Sequence, residues 1–253
     1  MDLGLTGKRC VVTGASRGIG LAIARGLAAE GAHVAICARG EGPLREAERE
    51  LRALGVQVFA EACDVGDGTA VGRFLDAARE ALGGVDVCIH NASALARGPD
   101  PGSWARSLEV DLMGAVHAFE HVIPWMAASG GGSLLVVSSI SGIEASPAPD
   151  FAYSAAKAAQ LAYVKKLATL HAPNRIRANA VAPGSIDFPG GLWDGVRREN
   201  PQMYEMVRGS IPWGRMGTPE EVADLAVYLV SPRAGWVTGE CVAVDGGQHR
   251  GMR

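Results

Sequence analysis

Short, uninterrupted apolar runs alternate along this chain with longer segments rich in Ala, Leu, Glu and Arg. The runs at residues 9–13, 33–38, 56–60, 85–90, 133–138, 175–181 and 240–244 predict strands. The segments 18–30, 43–54, 69–82, 103–128, 151–170 and 219–229 predict helices. An uninterrupted apolar run, in place of strict apolar/polar alternation, is what a strand needs when helices cover both sheet faces. Strand and helix in regular alternation then predict an α/β fold, a Rossmann-type doubly wound sheet of seven parallel strands. Pro219 follows Thr218 and precedes Glu220 and Glu221, a strong helix start, because the cap, the missing N–H and the acids all suit a helix N-terminus. No Pro- or Ser-rich linker interrupts the pattern, so residues 1–253 predict a single domain. One long irregular stretch stands out, from about Pro183 to Gly217.

Composition narrows the partners. Of 253 residues, 48% are hydrophobic and 20% charged, a globular balance. A net charge of −3 without clustered Lys or Arg gives no field for nucleic acid or an anionic membrane. Cys10, Cys37, Cys63, Cys88 and Cys241 form no CxxC pair, which predicts reduced thiols and no metal. The N-terminus has an acid at Asp2 and no long apolar stretch before Lys8 and Arg9, unlike a signal peptide. The uncharged run 121–143 contains Pro124 and the glycines 130–132, which suit helix, turn and strand better than a membrane span. A cytoplasmic protein is expected.

Candidate chemistry begins where the first strand ends. Thr13-Gly14-Ala15-Ser16-Arg17-Gly18-Ile19-Gly20 leads straight into a helix. Glycines there allow a tight turn and close backbone approach to a pyrophosphate, which the helix N–H groups would hold. The second strand ends Cys37-Ala38-Arg39, without the acid that would bind the ribose 2′-hydroxyl of NAD. Arg17 and Arg39 instead suit a 2′-phosphate, so NADP(H) is the expected cofactor. Asp64, with Val65, follows the third strand, where a carboxylate reaches an adenine amino group or caps a helix. Tyr153 and Lys157 are four apart and share a helix face. A phenol is a poor base at neutral pH unless a positive charge favours its phenolate, and Lys157 supplies one. Ser138-Ser139 closes the fifth strand, where a hydroxyl can hydrogen-bond a carbonyl oxygen.

These motifs, in this order and over essentially the whole chain, resemble the short-chain dehydrogenase/reductase family, in particular its NADP-preferring carbonyl and 3-oxoacyl reductases. The family's further signatures match His90-Asn91-Ala92-Ser93, Ala182-Pro183-Gly184 and Thr238-Gly239-Glu240 with Val244-Asp245-Gly246-Gly247. The resemblance implies hydride transfer between nicotinamide and a carbonyl or secondary alcohol. Tyr153 would be the acid/base and Ser139 would polarise the carbonyl, while Lys157 supports the phenolate and holds the nicotinamide ribose. It implies cofactor contacts at Gly14, Ser16, Arg17, Gly18, Ile19, Gly20, Arg39, Asp64, Val65, Asn91, Tyr153, Lys157, Pro183, Gly184 and Ile186. It also implies a homotetramer or homodimer, and a substrate loop and lid at 184–217.

Three departures from the family pattern involve four positions. Asp111 stands where an asparagine of the proton relay is usual. His90 and Ser93 replace the first Asn and last Gly of the motif after strand four. Phe188 takes the place of a threonine after the Pro-Gly turn. Phe188, Trp193, Met203, Tyr204, Met206, Trp213 and Met216 either line the lid for an apolar substrate or pack the lid on the core or on a neighbouring subunit. An idle NADP(H)-binding regulator or scaffold is the competing reading, along with a non-redox epimerase or dehydratase. The intact Ser139, Tyr153 and Lys157 favour the oxidoreductase. His117 and His121 share a helix face without a third ligand, and His90 reads as a packing residue.

Overall fold

The computed structural model describes residues 1–145 and 148–251. Seven strands run through it: β1 (Arg9–Thr13), β2 (His33–Ala38), β3 (Val58–Ala62), β4 (Val87–His90), β5 (Gly132–Val137), β6 (Ile176–Pro183) and β7 (Cys241–Val244). They form one parallel sheet in the order β3-β2-β1-β4-β5-β6-β7. Strand order reverses between β1 and β4, so the connections leave a crevice at their carboxyl ends.

The continuous apolar runs are explained by two cores. In β1, Cys10 and Val12 pack on one face with α1 (Gly18–Ala29), α2 (Glu41–Arg52) and α9 (Pro219–Val230). Val11 points the other way, among side chains of α3 (Gly68–Leu82), α5 (Gly114–Ala128) and α6 (Phe151–His171). β2 divides likewise, Val34 and Ile36 against Ala35 and Cys37. Each fully buried Ile, Leu or Val adds about 1.5–3 kcal/mol, so most positions on both faces are apolar. The four cysteines Cys10, Cys37, Cys63 and Cys88 are buried and, with Cys241, are unbridged.

The chain departs from the predicted elements in two places that matter. The single helix expected over 103–128 is three pieces: α4 (Pro101–Ser107), a π-helical stretch (Leu108–Met113) and α5. A π-helical turn widens the backbone and frees carbonyls, and Asp111 lies inside it. The stretch read as irregular from Pro183 to Gly217 contains α7 (Leu192–Glu199) and α8 (Pro201–Ser210). The signal for α8 was present, since Asn200 caps Met203 N ahead of a proline in the first turn. Strand limits shift by one or two residues, and β3 moves by two at both ends, to Val58–Ala62.

His90 ends β4 in full burial, as a packing residue. Its Nδ1 lies 3.2 Å from Thr13 Oγ1, and its ring sits where a Cβ at Gly114 would be. Burial, with Lys157 nearby, pushes the imidazole down to about 4. In the unfolded chain it titrates near 6.5, so between those values the unfolded state binds more protons. Stability therefore falls as pH drops through that window. His90→Asn is expected to shrink the fall between pH 7 and pH 4.5 by about 2–3 kcal/mol in urea unfolding. Equal falls in wild type and variant would show that His90 does not set this acid sensitivity.

Candidate active site

A cleft of about 510 Å³ opens along the carboxyl ends of the strands. At one end lie Gly14, Ser16, Arg17, Ile19, Arg39, Asp64 and Val65, and at the other Asn91, Ser139, Tyr153, Lys157, Pro183, Gly184 and Ile186. These are fourteen of the seventeen residues singled out in the sequence. The other three stand behind the lining. Gly18 has a φ of +56° and gives its space to the Phe188 ring. A Cβ at Gly20 would overlap Asn91 Nδ2 and the Gly14 carbonyl, so that glycine permits the close approach of loop to strand. Asp111 is fully buried beneath Lys157.

The glycine loop is held from β4. Asn91 Nδ2 donates to the carbonyls of Thr13 and Gly14 at 3.1 and 2.9 Å, and Thr13 Oγ1 accepts from Asn91 N at 3.1 Å. Some other helices have side-chain caps: Asp67 accepts from Thr69 N and Ala70 N, and Thr218 from Glu221 N. α1 has no side-chain cap and no acid in its first turn, so its N–H groups are left for an anion in the cleft. That arrangement fits a dinucleotide pyrophosphate. Arg17 and Arg39 are exposed at the same end, and Arg17 Nη1 donates to Gly190 O at 2.9 Å. Asp64 Oδ1 accepts from Gly66 N at 3.1 Å and still lines the cleft.

At the other end, α6 carries Tyr153 and Lys157 one turn apart, and the ammonium lies 5.5 Å from the phenol ring centroid. Lys157 Nζ donates to Val137 O at 2.9 Å. It also meets Asp111 Oδ1 at 3.1 Å, a charge contact off the hydrogen-bonding line. Asp111 Oδ2 accepts from Ala94 N at 3.0 Å, and its backbone carbonyl accepts from Gln160 Nε2 at 2.6 Å. The carboxylate thus faces the lysine, which sequence could raise only as a conditional. Ser139 follows β5, is 8% exposed, and accepts from Ser141 N at 3.1 Å. Ser138 turns away and donates to Lys157 O at 3.1 Å.

Sequence reasoning missed Arg97. It lines the cleft with its guanidinium 5.5 Å from the Tyr153 ring centroid. No periodicity or motif marks its loop, so no local signal could have singled it out. Leu95 in the same loop has a φ of +49°, a strained value for leucine beside the site. Phe188 is not merely a lost threonine, because its ring closes against Gly18. His121 Nε2 contacts Asp76 Oδ1 at 2.9 Å.

A doubly wound sheet with an uncapped glycine-loop helix and a Ser, Tyr and Lys set across one cleft defines a dinucleotide-dependent oxidoreductase architecture. Comparison gives the family. A family model described as enoyl-(acyl carrier protein) reductase matches residues 14–249. Isoepoxydon dehydrogenase of Penicillium expansum is 36% identical over 262 residues, covering 100% of this chain and 99% of its own. L-sorbose reductase from Gluconobacter frateurii, solved with NADPH and L-sorbose, superposes with a TM-score of 0.93 at 33% identity, with 100% of both chains covered. A 7α-hydroxysteroid dehydrogenase, solved with NADH and 7-oxo glycochenodeoxycholic acid, gives 0.90 at 30% identity, covering 97% of this chain and 96% of that one. The chain belongs to the short-chain dehydrogenase/reductase family.

The buried pair carries a prediction. An asparagine at position 111 that kept its oxygen on Ala94 N would turn its amide donors on the Lys157 ammonium. Asp111→Asn is therefore expected to fold but to lose about 3 kcal/mol in urea unfolding at pH 7. A loss below about 0.5 kcal/mol would mean that the ammonium finds another acceptor without cost.

Proposed function

We propose that the protein interconverts a carbonyl and a secondary alcohol with NADP(H), on a substrate whose body is apolar. One observation carries the reading: Ser139, Tyr153 and Lys157 face the same cleft that Arg17 and Arg39 flank at its far end. For the cofactor, the support is the two guanidiniums together with Ala38 where an acid would select NAD. For an apolar substrate body, the support is Leu95, Phe188, Leu192 and Trp193 along the lining. Exposed Trp104, Leu108, Met113 and Phe151 on neighbouring elements support self-association of the chain.

A bound nicotinamide supplies or accepts the hydride. The protein's part is to position and to move a proton. Tyr153 gives its phenolic proton to the oxygen of a carbonyl being reduced, or takes it from an alcohol being oxidised. Ser139 Oγ donates to that same oxygen and stabilises the charge that builds there. Lys157 holds a positive charge one turn from the phenol, which favours phenolate when the proton has left. The Asp111 carboxylate keeps this ammonium in place while partly offsetting its field at Tyr153.

Tyr153→Phe is expected to bind NADPH normally and to lose nearly all turnover, since only the proton donor is removed. Lys157→Ala should impair both binding and turnover. Near-normal turnover by Tyr153→Phe in an NADPH-absorbance assay with a panel of ketones would show that another group moves the proton.

Fluorescence titration is expected to give tighter binding of NADPH than of NADH. Arg39→Ala should cut that preference by about tenfold, and the Arg17 and Arg39 double variant by more, as charge-assisted bonds to phosphate are lost. Equal or tighter NADH binding by the wild type would overturn the cofactor assignment.

A further inference from the structure

The cleft is lopsided in charge. Arg17, Arg39, Arg97 and Lys157 line it, against Asp64 as the one carboxylate in the lining among the described residues. Three of these cations have a role or a partner. Arg17 and Arg39 stand at the glycine-loop end, and Lys157 is paired with Asp111. Arg97 has neither. Its Nε is buried without an acceptor, and no hydrogen bond or ion pair holds the guanidinium among the described residues. The residue as a whole is half-buried, but a buried N–H donor left without an acceptor is costly, so the site suits an anion that arrives with the ligand. The guanidinium also stacks toward the ring of Tyr153, on which Lys157 bears as well. Arg97 is therefore within one small molecule's length of the phenolic oxygen.

Building on the oxidoreductase reading, we propose that the substrate is an oxo or hydroxy carboxylic acid whose carboxylate is bound by Arg97 while its carbonyl or alcohol meets Tyr153 and Ser139. The guanidinium presents two parallel N–H donors that match a carboxylate and would fix which end of the molecule reaches the phenol. The apolar side chains Leu95, Leu192 and Trp193 then cover the carbon body between the two polar ends. Specificity would be strong, because a neutral analogue leaves the buried donor unpaired.

The test uses three oxo acids and their methyl esters: 4-oxopentanoate, 5-oxohexanoate and 4-oxocyclohexanecarboxylate. Binding to the NADPH-saturated protein is read by calorimetry, and kcat/KM by NADPH absorbance, in wild type, Arg97→Met and Arg97→Lys. In at least one pair the wild type should favour the acid by about tenfold or more in both readouts. Arg97→Met should bring the acid-to-ester ratio to within about twofold of unity, chiefly through KM, with Arg97→Lys intermediate. No preference for the acid in any pair, or a preference that survives in Arg97→Met, overturns the proposal. Acid binding that depends on Arg97 without reduction of any compound would instead uphold the anion site and overturn the oxidoreductase reading.

Discussion

A lysine side chain cannot be buried without partners, and the Tyr153 end of the cleft is organised around that requirement. Lys157 is 1% exposed. Its ammonium is satisfied by a backbone carbonyl at the end of β5 and by a carboxylate from the π-helical stretch before α5. The carboxylate in turn holds the loop after β4 through Ala94 N, and Gln160, one turn further along α6, holds the carbonyl of Asp111. Four separate segments are thereby fixed relative to one charge. Tyr153 is set one turn away on the same helix, so the phenol inherits its position from this network.

The π-helical widening gains a purpose in this setting. Within this stretch the Asp111 carbonyl accepts from Gln160 across the helix interface. An acid at position 111 sets the charge facing Lys157. A neutral group would leave Lys157 as a net positive neighbour of Tyr153, and a carboxylate turns it into one half of a pair.

The two ends of the cleft handle charge in different ways. At the glycine loop, the positive field comes from backbone N–H groups that no side chain caps, with two flexible arginines at the rim. At the Tyr153 end it comes from side chains, one paired and one not. The contact of Phe188 with Gly18 and the hydrogen bond from Arg17 to Gly190 bring the segment after β6 onto the glycine loop.

Sequence alone determined the features that depend on short stretches of chain. The doubly wound sheet was legible because each strand had to be apolar on both faces. The glycine loop and the Tyr-to-Lys spacing were legible because their chemistry is set by neighbours within a turn or two. Helix breaks were less so: the π-helical stretch leaves no periodicity of its own, and α7 and α8 lie among glycines and polar residues. Only the tertiary structure decided that the Asp111 carboxylate faces Lys157, that Phe188 fills the space beside Gly18, and that Arg97 lies over Tyr153 without a partner. These contacts join residues forty to one hundred and seventy positions apart. Their geometry follows from how helices seat on the sheet and how loops cross its carboxyl edge, which no local pattern encodes.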